Sequence, residues 1–139
     1  MPYVTKNARY ALDIEGDKPQ TVGELNYLIT RAIQIWIRDH GGESYTNYNS
    51  VIGFLLLIDM NMREPDYHCQ APENMTGLYK EVGGMIATYL RRSASLSLME
   101  VRGVVECVKL EFYRRAVAAY EDEKCKENGD VYDIVGRNR

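Results

Sequence analysis

Residues 101–124 read VRGVVECVKLEFYRRAVAAYEDEK, and this stretch decides the fold class. It contains no proline, and Val101, Val105, Val108, Phe112, Ala116 and Ala119 recur at the spacing that lines one face of an α-helix. Ser97 followed by Glu100 forms a capping box ahead of it, and Asn128-Gly129 supplies a stop. The spacing therefore predicts one long helix from about Leu98 to Cys125, followed by a short tail over residues 130–139.

A second face of that helix carries the candidates for function. Arg102, Glu106, Lys109, Tyr113, Val117, Tyr120 and Lys124 form a stripe beside Leu110. Aromatic bodies mixed with charges suit a protein interface or a ligand groove, although ion pairs on a solvated face account for the stripe equally well. Arg115 falls on the apolar side of the helical wheel, beside Val104, Val108 and Phe112. A guanidinium there needs a carboxylate, and Glu111 or a carboxylate from another helix or subunit is the natural partner. Arg114 and Arg115, with Arg91 and Arg92 at the end of the preceding helix, are candidates to converge on a phosphate or carboxylate, because guanidinium offers a two-pronged donor fork. As charges at a helix C-terminus, Arg91 and Arg92 need no ligand.

Upstream, Thr21 and Glu24 form another capping box, and Leu25, Leu28, Ile29, Ala32 and Trp36 share a face. Tyr27, Thr30, Arg31, Gln34 and Arg38 lie opposite, and Gly41-Gly42 ends the helix. Ser44 caps a second helix, from Tyr45 to about Met62, which Pro65 terminates. Its centre, Phe54 to Ile58, is apolar all round, so burial on more than one side is expected. A third helix runs from Asn74 to Arg92 with Met75, Leu78, Val82, Ile86 and Leu90 in register. Gly83-Gly84 within it marks a kink or a close helix contact. A short helix capped by Thr5 precedes all of these and ends at Gly16, Asp17 and Pro19. No segment alternates as a strand does. The expectation is an all-α single domain over residues 1–139, a bundle of four or five helices in which the long C-terminal helix packs against the Thr21 helix and the hairpin of residues 54–103.

A chain of 139 residues with 45% hydrophobic and 27% charged residues buries a core without disulfides or metal. Its net charge of −3 opposes bulk nucleic-acid binding. The N-terminus lacks the apolar core of a signal peptide, and the run Ile52 to Ile58 is far shorter than a bilayer span, so a cytoplasmic location without a membrane partner is expected. Cys69, Cys107 and Cys125 are odd in number and widely spaced, which reads as reduced thiols. His68-Cys69 has no second pair at ligand spacing, His40 suits a helix C-terminus, and no glycine-rich phosphate loop is present. No cofactor or metal is expected.

Two pairs of motifs resemble a known family. GELNYLITR at Gly23–Arg31 with ESYTNYNSVIG at Glu43–Gly53, and VVECVKLEFYRR at Val104–Arg115 with YEDEKCKENGDVY at Tyr120–Tyr132, are similar to small uncharacterised proteins of tailed phages, prophages and environmental sequences. Against that family, Phe54 to Gly103 reads as an inserted helical hairpin that repeats the helix end as Val101-Arg102-Gly103. Ala119 stands where the family carries proline, which lets the helix continue. The resemblance brings no activity with it. Together with the tyrosine and charge stripe it implies a noncatalytic phage or prophage accessory protein in the host cytoplasm, a homo-oligomer that binds a small anionic ligand such as a nucleotide serving as a host-defence signal. The alternatives are a hydrolase or transferase using Glu106, Glu111 and Tyr113, and a regulator that contacts DNA through its arginine pairs.

Overall fold

The computed structural model describes residues 4–15, 18–64, 70–91 and 97–131. These form α1 (Lys6–Glu15), α2 (Val22–Asp39), α3 (Tyr45–Arg63), a single 3-10 turn (Glu73–Met75) leading into α4 (Thr76–Arg91), and a C-terminal helix. The last consists of α5 (Ser97–Phe112), a π-helical turn (Tyr113–Val117) and α6 (Ala118–Asn128), 32 residues without a break. No strand occurs among the described residues. The protein is an all-α bundle of five helices with one long C-terminal helix.

Local chemistry sets the ends of these helices. Thr5 Oγ1 accepts from the Ala8 amide at 3.2 Å, and Ser44 Oγ accepts from the Asn47 amide at 3.0 Å. Thr21 Oγ1 accepts from the Glu24 amide at 3.1 Å, but the returning Glu24 carboxylate reaches one residue further than a capping box requires and accepts from the Gln20 amide at 2.8 Å. At the end of α2 the Gly42 amide bonds back to the Ile37 carbonyl at 2.8 Å, with Gly41 at φ 100° and Gly42 at φ 82°, a Schellman closure that side chains with a Cβ rarely adopt. The Asn47 side chain then donates to the His40 and Gly42 carbonyls, tying the turn to α3. Ser97 is already the first helical residue of α5, and residues 92–96, where its cap would be completed, lie outside the described residues.

One core joins all the helices. Leu25, Leu28, Ile29 and Ile33 of α2 meet Val82, Met85 and Ile86 of α4 and Val101, Val105 and Val108 of α5, with Val51, Phe54 and Leu55 of α3 beside them. The indole of Trp36 is buried and donates to the Asn74 carbonyl at 3.0 Å, which fixes the C-terminal end of α2 to the entry of α4. Arg102 bridges to Asp59 at 3.1 Å and links α5 to α3.

The centre of α3 buries Phe54, Leu55 and Ile58, while Leu56 is 49% exposed. Two sequence expectations are corrected here. Gly83 and Gly84, expected to mark a kink or a close helix contact, make no such contact: a Cβ built on either meets nothing within 4 Å, and α4 runs through both. The second correction concerns the C-terminal helix. Ala116 and Ala119 were expected inside and Val117 outside, yet Val117 is buried and Ala119 exposed. The π turn is the reason: a bond from the Ala118 amide to the Tyr113 carbonyl takes one extra residue into the turn, so every side chain after it is rotated relative to a regular α-helix.

Candidate functional site

An open groove lies between α2 and the C-terminal helix. Ala116 lines it together with Ile33 and Ile37 of α2, and its single methyl leaves the space between them unfilled. A groove of ≈ 550 Å³ results. Its floor is Ile33, Ile37, Val108, Phe112 and Ala116, and its rim holds Thr30, Gln34 and Arg38 from α2, Tyr48 from α3, and Glu111 and Arg115 from the C-terminal helix. An apolar floor with a few polar groups at the rim is the general build of a small-ligand site.

The rim charges are arranged so that the cations keep donors to spare. Glu111 is engaged chiefly by Arg114 one turn on, and Arg115 Nε stands 4.0 Å from the same carboxylate. The hydrogen bond from Arg114 is the main cause of a Glu111 carboxyl held below the usual glutamate range. Across the groove Arg38 Nε meets its chain neighbour Asp39 at 3.1 Å, both side chains being well exposed. Each guanidinium offers five N–H donors, and these contacts are of the weak solvated kind. Arg115, expected on the buried apolar side of the helix, is instead 61% exposed and stands over the apolar floor; Glu111 is its partner as the spacing suggested.

The remaining stripe residues lie elsewhere and make contacts within the chain. Arg102 pairs with Asp59, and Lys109 with Glu106 at 2.8 Å. Tyr113 is 48% exposed and its hydroxyl donates to Glu121 at 3.0 Å. Tyr120, expected on the outward stripe, turns inward: its ring meets Tyr48 edge-on at 5.5 Å, with Lys124 Nζ 5.4 Å from its centroid. Hydrogen bonding to Glu127 raises the Lys124 pKa. Glu106, Glu111 and Tyr113 are thus engaged with separate partners, and Glu111 is lowered where a general acid needs to be raised. Arg91 bonds Thr88 Oγ1 at 3.3 Å and does not line the groove, while Arg92, His68, Cys69 and most of the 130–139 tail lie outside the described residues. His40 stacks on Trp36 at 4.2 Å, and its Nδ1 donates to the Trp36 carbonyl at 2.7 Å, since a carbonyl only accepts. Cys107 is exposed and Cys125 half-buried. Among the described residues no group of three or more His, Cys, Asp or Glu is placed to hold a metal ion, and no helix is long and apolar enough to cross a membrane.

Of the functional candidates singled out in the sequence, Arg115 and Glu111 line the groove, whereas Arg102, Glu106, Lys109, Tyr113, Arg114 and Tyr120 do not. Thr30, Gln34, Arg38 and Tyr48 were missed as site residues. The available signal was the polar face of α2, where Tyr27, Thr30, Arg31, Gln34 and Arg38 follow one another at helical spacing.

A family model described as Domain of unknown function (DUF6899) matches residues 1–64 and 70–131 of the chain. No curated protein and no solved structure matches it.

Proposed function

We propose a noncatalytic binding role for this chain, which belongs to the DUF6899 family: the groove between α2 and the C-terminal helix holds a small anion with an apolar body. One observation carries the reading, the placement of Arg38 and Arg115 on opposite rims of an apolar floor. Burial of the ligand body on Ile33, Ile37 and Phe112 supplies affinity, and the two guanidiniums fix the position of the anionic group. A nucleotide fits this description, with its base on the floor and its phosphate at the rim. The phage or prophage setting, the host cytoplasm and the inserted character of residues 54–103 belong to the same proposal and rest on the motif resemblance.

A thermal-shift panel of cyclic and linear nucleotides and of aliphatic and aromatic carboxylates tests it. A true ligand at 100 times its Kd stabilises the fold by ~2.7 kcal/mol. The reading requires at least one such shift, reduced in Arg115→Ala. A flat panel at millimolar concentrations removes it.

A second reading, a homo-oligomer, is favoured by Leu110, 59% exposed, near Tyr113 on the outer side of the C-terminal helix. Sedimentation at micromolar concentration decides it: association that Leu110→Glu abolishes supports the oligomer, and a monomer throughout rejects it.

A further inference from the structure

The groove does not end at its arginines. Thr30, Gln34, Arg38 and Arg115 also line a second hollow of ≈ 590 Å³ on the outer side of α2. This hollow adds Arg9 from α1 and Arg31 from α2, and Tyr27 and Asn26 complete its polar wall. Four arginines from three separate elements thus face one space that, among the described residues, no aspartate or glutamate lines. Carboxylates meet three of the four from outside the hollow: Asp13 pairs with Arg31 and accepts from the Tyr27 hydroxyl at 3.0 Å, Asp39 meets Arg38 at 3.1 Å, and Glu111 stands 4.0 Å from Arg115. Arg9 is steered by its own bond to the Val4 carbonyl at 3.0 Å. Asn26 is buried, and its Oδ1 accepts from Thr30 Oγ1 at 3.3 Å. The first hollow is apolar and flanked by two cations; the second is polar and surrounded by four.

We infer that the two hollows form one bipartite site, in which the apolar part of a ligand rests against Ile33 and Phe112 while a phosphate group crosses the ridge of Gln34 and lies among Arg9, Arg31, Arg38 and Arg115. This inference rests on the binding role proposed above and adds the ligand class, a phosphate ester on an apolar body. A carboxylate carries a single charge and two acceptor oxygens, whereas a phosphate monoester carries nearly two charges and three. Four guanidiniums, each with N–H donors beyond its carboxylate or carbonyl contact, suit the latter. Phosphate esters of nucleosides and of aliphatic alcohols share this chemistry, and the probes separate them.

Isothermal titration with matched pairs tests the inference: adenosine 5′-monophosphate against adenosine, and octyl phosphate against octanol, with inorganic phosphate as a further arm. In at least one pair the phosphate form is expected to bind about tenfold or more tightly than its parent alcohol. Arg31→Gln, at a position outside the first groove, is expected to erase that advantage and leave the parent unaffected, and the exposed ridge change Gln34→Glu is expected to erase the advantage as well. Arg91→Gln, an equal loss of charge away from both hollows, is expected to keep it. Thermal melts of each variant establish that it is folded, and Gln34→Glu serves if Arg31→Gln is not. Equal binding within both pairs, or an advantage that survives Gln34→Glu, overturns the second hollow while leaving the first. Binding by no member of either pair overturns both.

Discussion

The rings of Tyr48 and Tyr120 meet edge to face at 5.5 Å, and Phe112 meets Tyr48 in the same manner at the same separation. Phe112 and Tyr120 are eight residues apart, which in a regular α-helix places them about 80° apart around the axis. The additional residue of the π turn brings the two rings toward one face, where both reach Tyr48. The aromatic cluster and the π turn therefore belong together.

That coupling is measurable. Tyr48→Ala and Tyr120→Ala combined in a double-mutant cycle should show an interaction of ~0.5–1.5 kcal/mol in urea unfolding, the range for edge-to-face aromatic pairs. Strict additivity would mean that the rings do not support one another.

The rotation makes opposite demands on two neighbouring positions. Val117→Asp places a charge in the core and should cost more than about 2 kcal/mol, while Ala119→Asp on the exposed side should stay within about 0.5 kcal/mol. A regular α-helix reverses the order, so Asp tolerated at 117 and damaging at 119 contradicts the π turn.

The helix ends and much of the core were legible in the chain because they depend on neighbours a few residues apart. Thr21, Ser44 and Gly41-Gly42 act through bonds spanning three to five positions, and Leu25, Leu28 and Ile29 recur with the helical period. The π turn was not legible, since nothing in Tyr113-Arg114-Arg115-Ala116-Val117 breaks an α-helix. It is seen only when Val117 and Tyr120 are matched to the core and to Tyr48. The groove was hidden for the same reason: it lies between α2 and a helix some seventy residues downstream, and a helical wheel reports one helix at a time. Arg115 was visible because it broke the pattern of its own wheel, whereas Arg38 sat unremarkably on a polar face.

Gly83 and Gly84 lie in helix α4 with open space where a Cβ would stand. Alanine at either position should stabilise the protein by about 0.5–1 kcal/mol, read as a higher Tm. Gly41→Ala, at φ 100°, should lower it. Destabilisation by alanine at 83 or 84 would indicate a neighbour that packs against this face of α4.

Two tyrosines make stability sensitive to alkali. Burial, followed by hydrogen bonding to Asp13, raises Tyr27 above the usual value of 10.0; burial, followed by the charge of Glu43, raises Tyr48. A phenol that holds its proton more tightly in the folded chain contributes fully below the unfolded pKa. That contribution is lost as pH rises above 10.0 toward the folded value. Stability followed by circular dichroism should therefore fall above this pH, and less steeply in Tyr27→Phe/Tyr48→Phe. An identical slope in the double variant would assign the fall to other groups.

The binding account is tested most directly by amide chemical-shift mapping on the ¹⁵N-labelled chain, titrated with whichever probe gives the largest thermal shift. Shifts concentrated at Thr30, Ile33, Gln34, Ile37, Val108 and Ala116, and absent in Arg115→Ala, are the expected result. Shifts confined to other surfaces, or none at saturating probe, would show that the groove between α2 and the C-terminal helix is not where this protein binds.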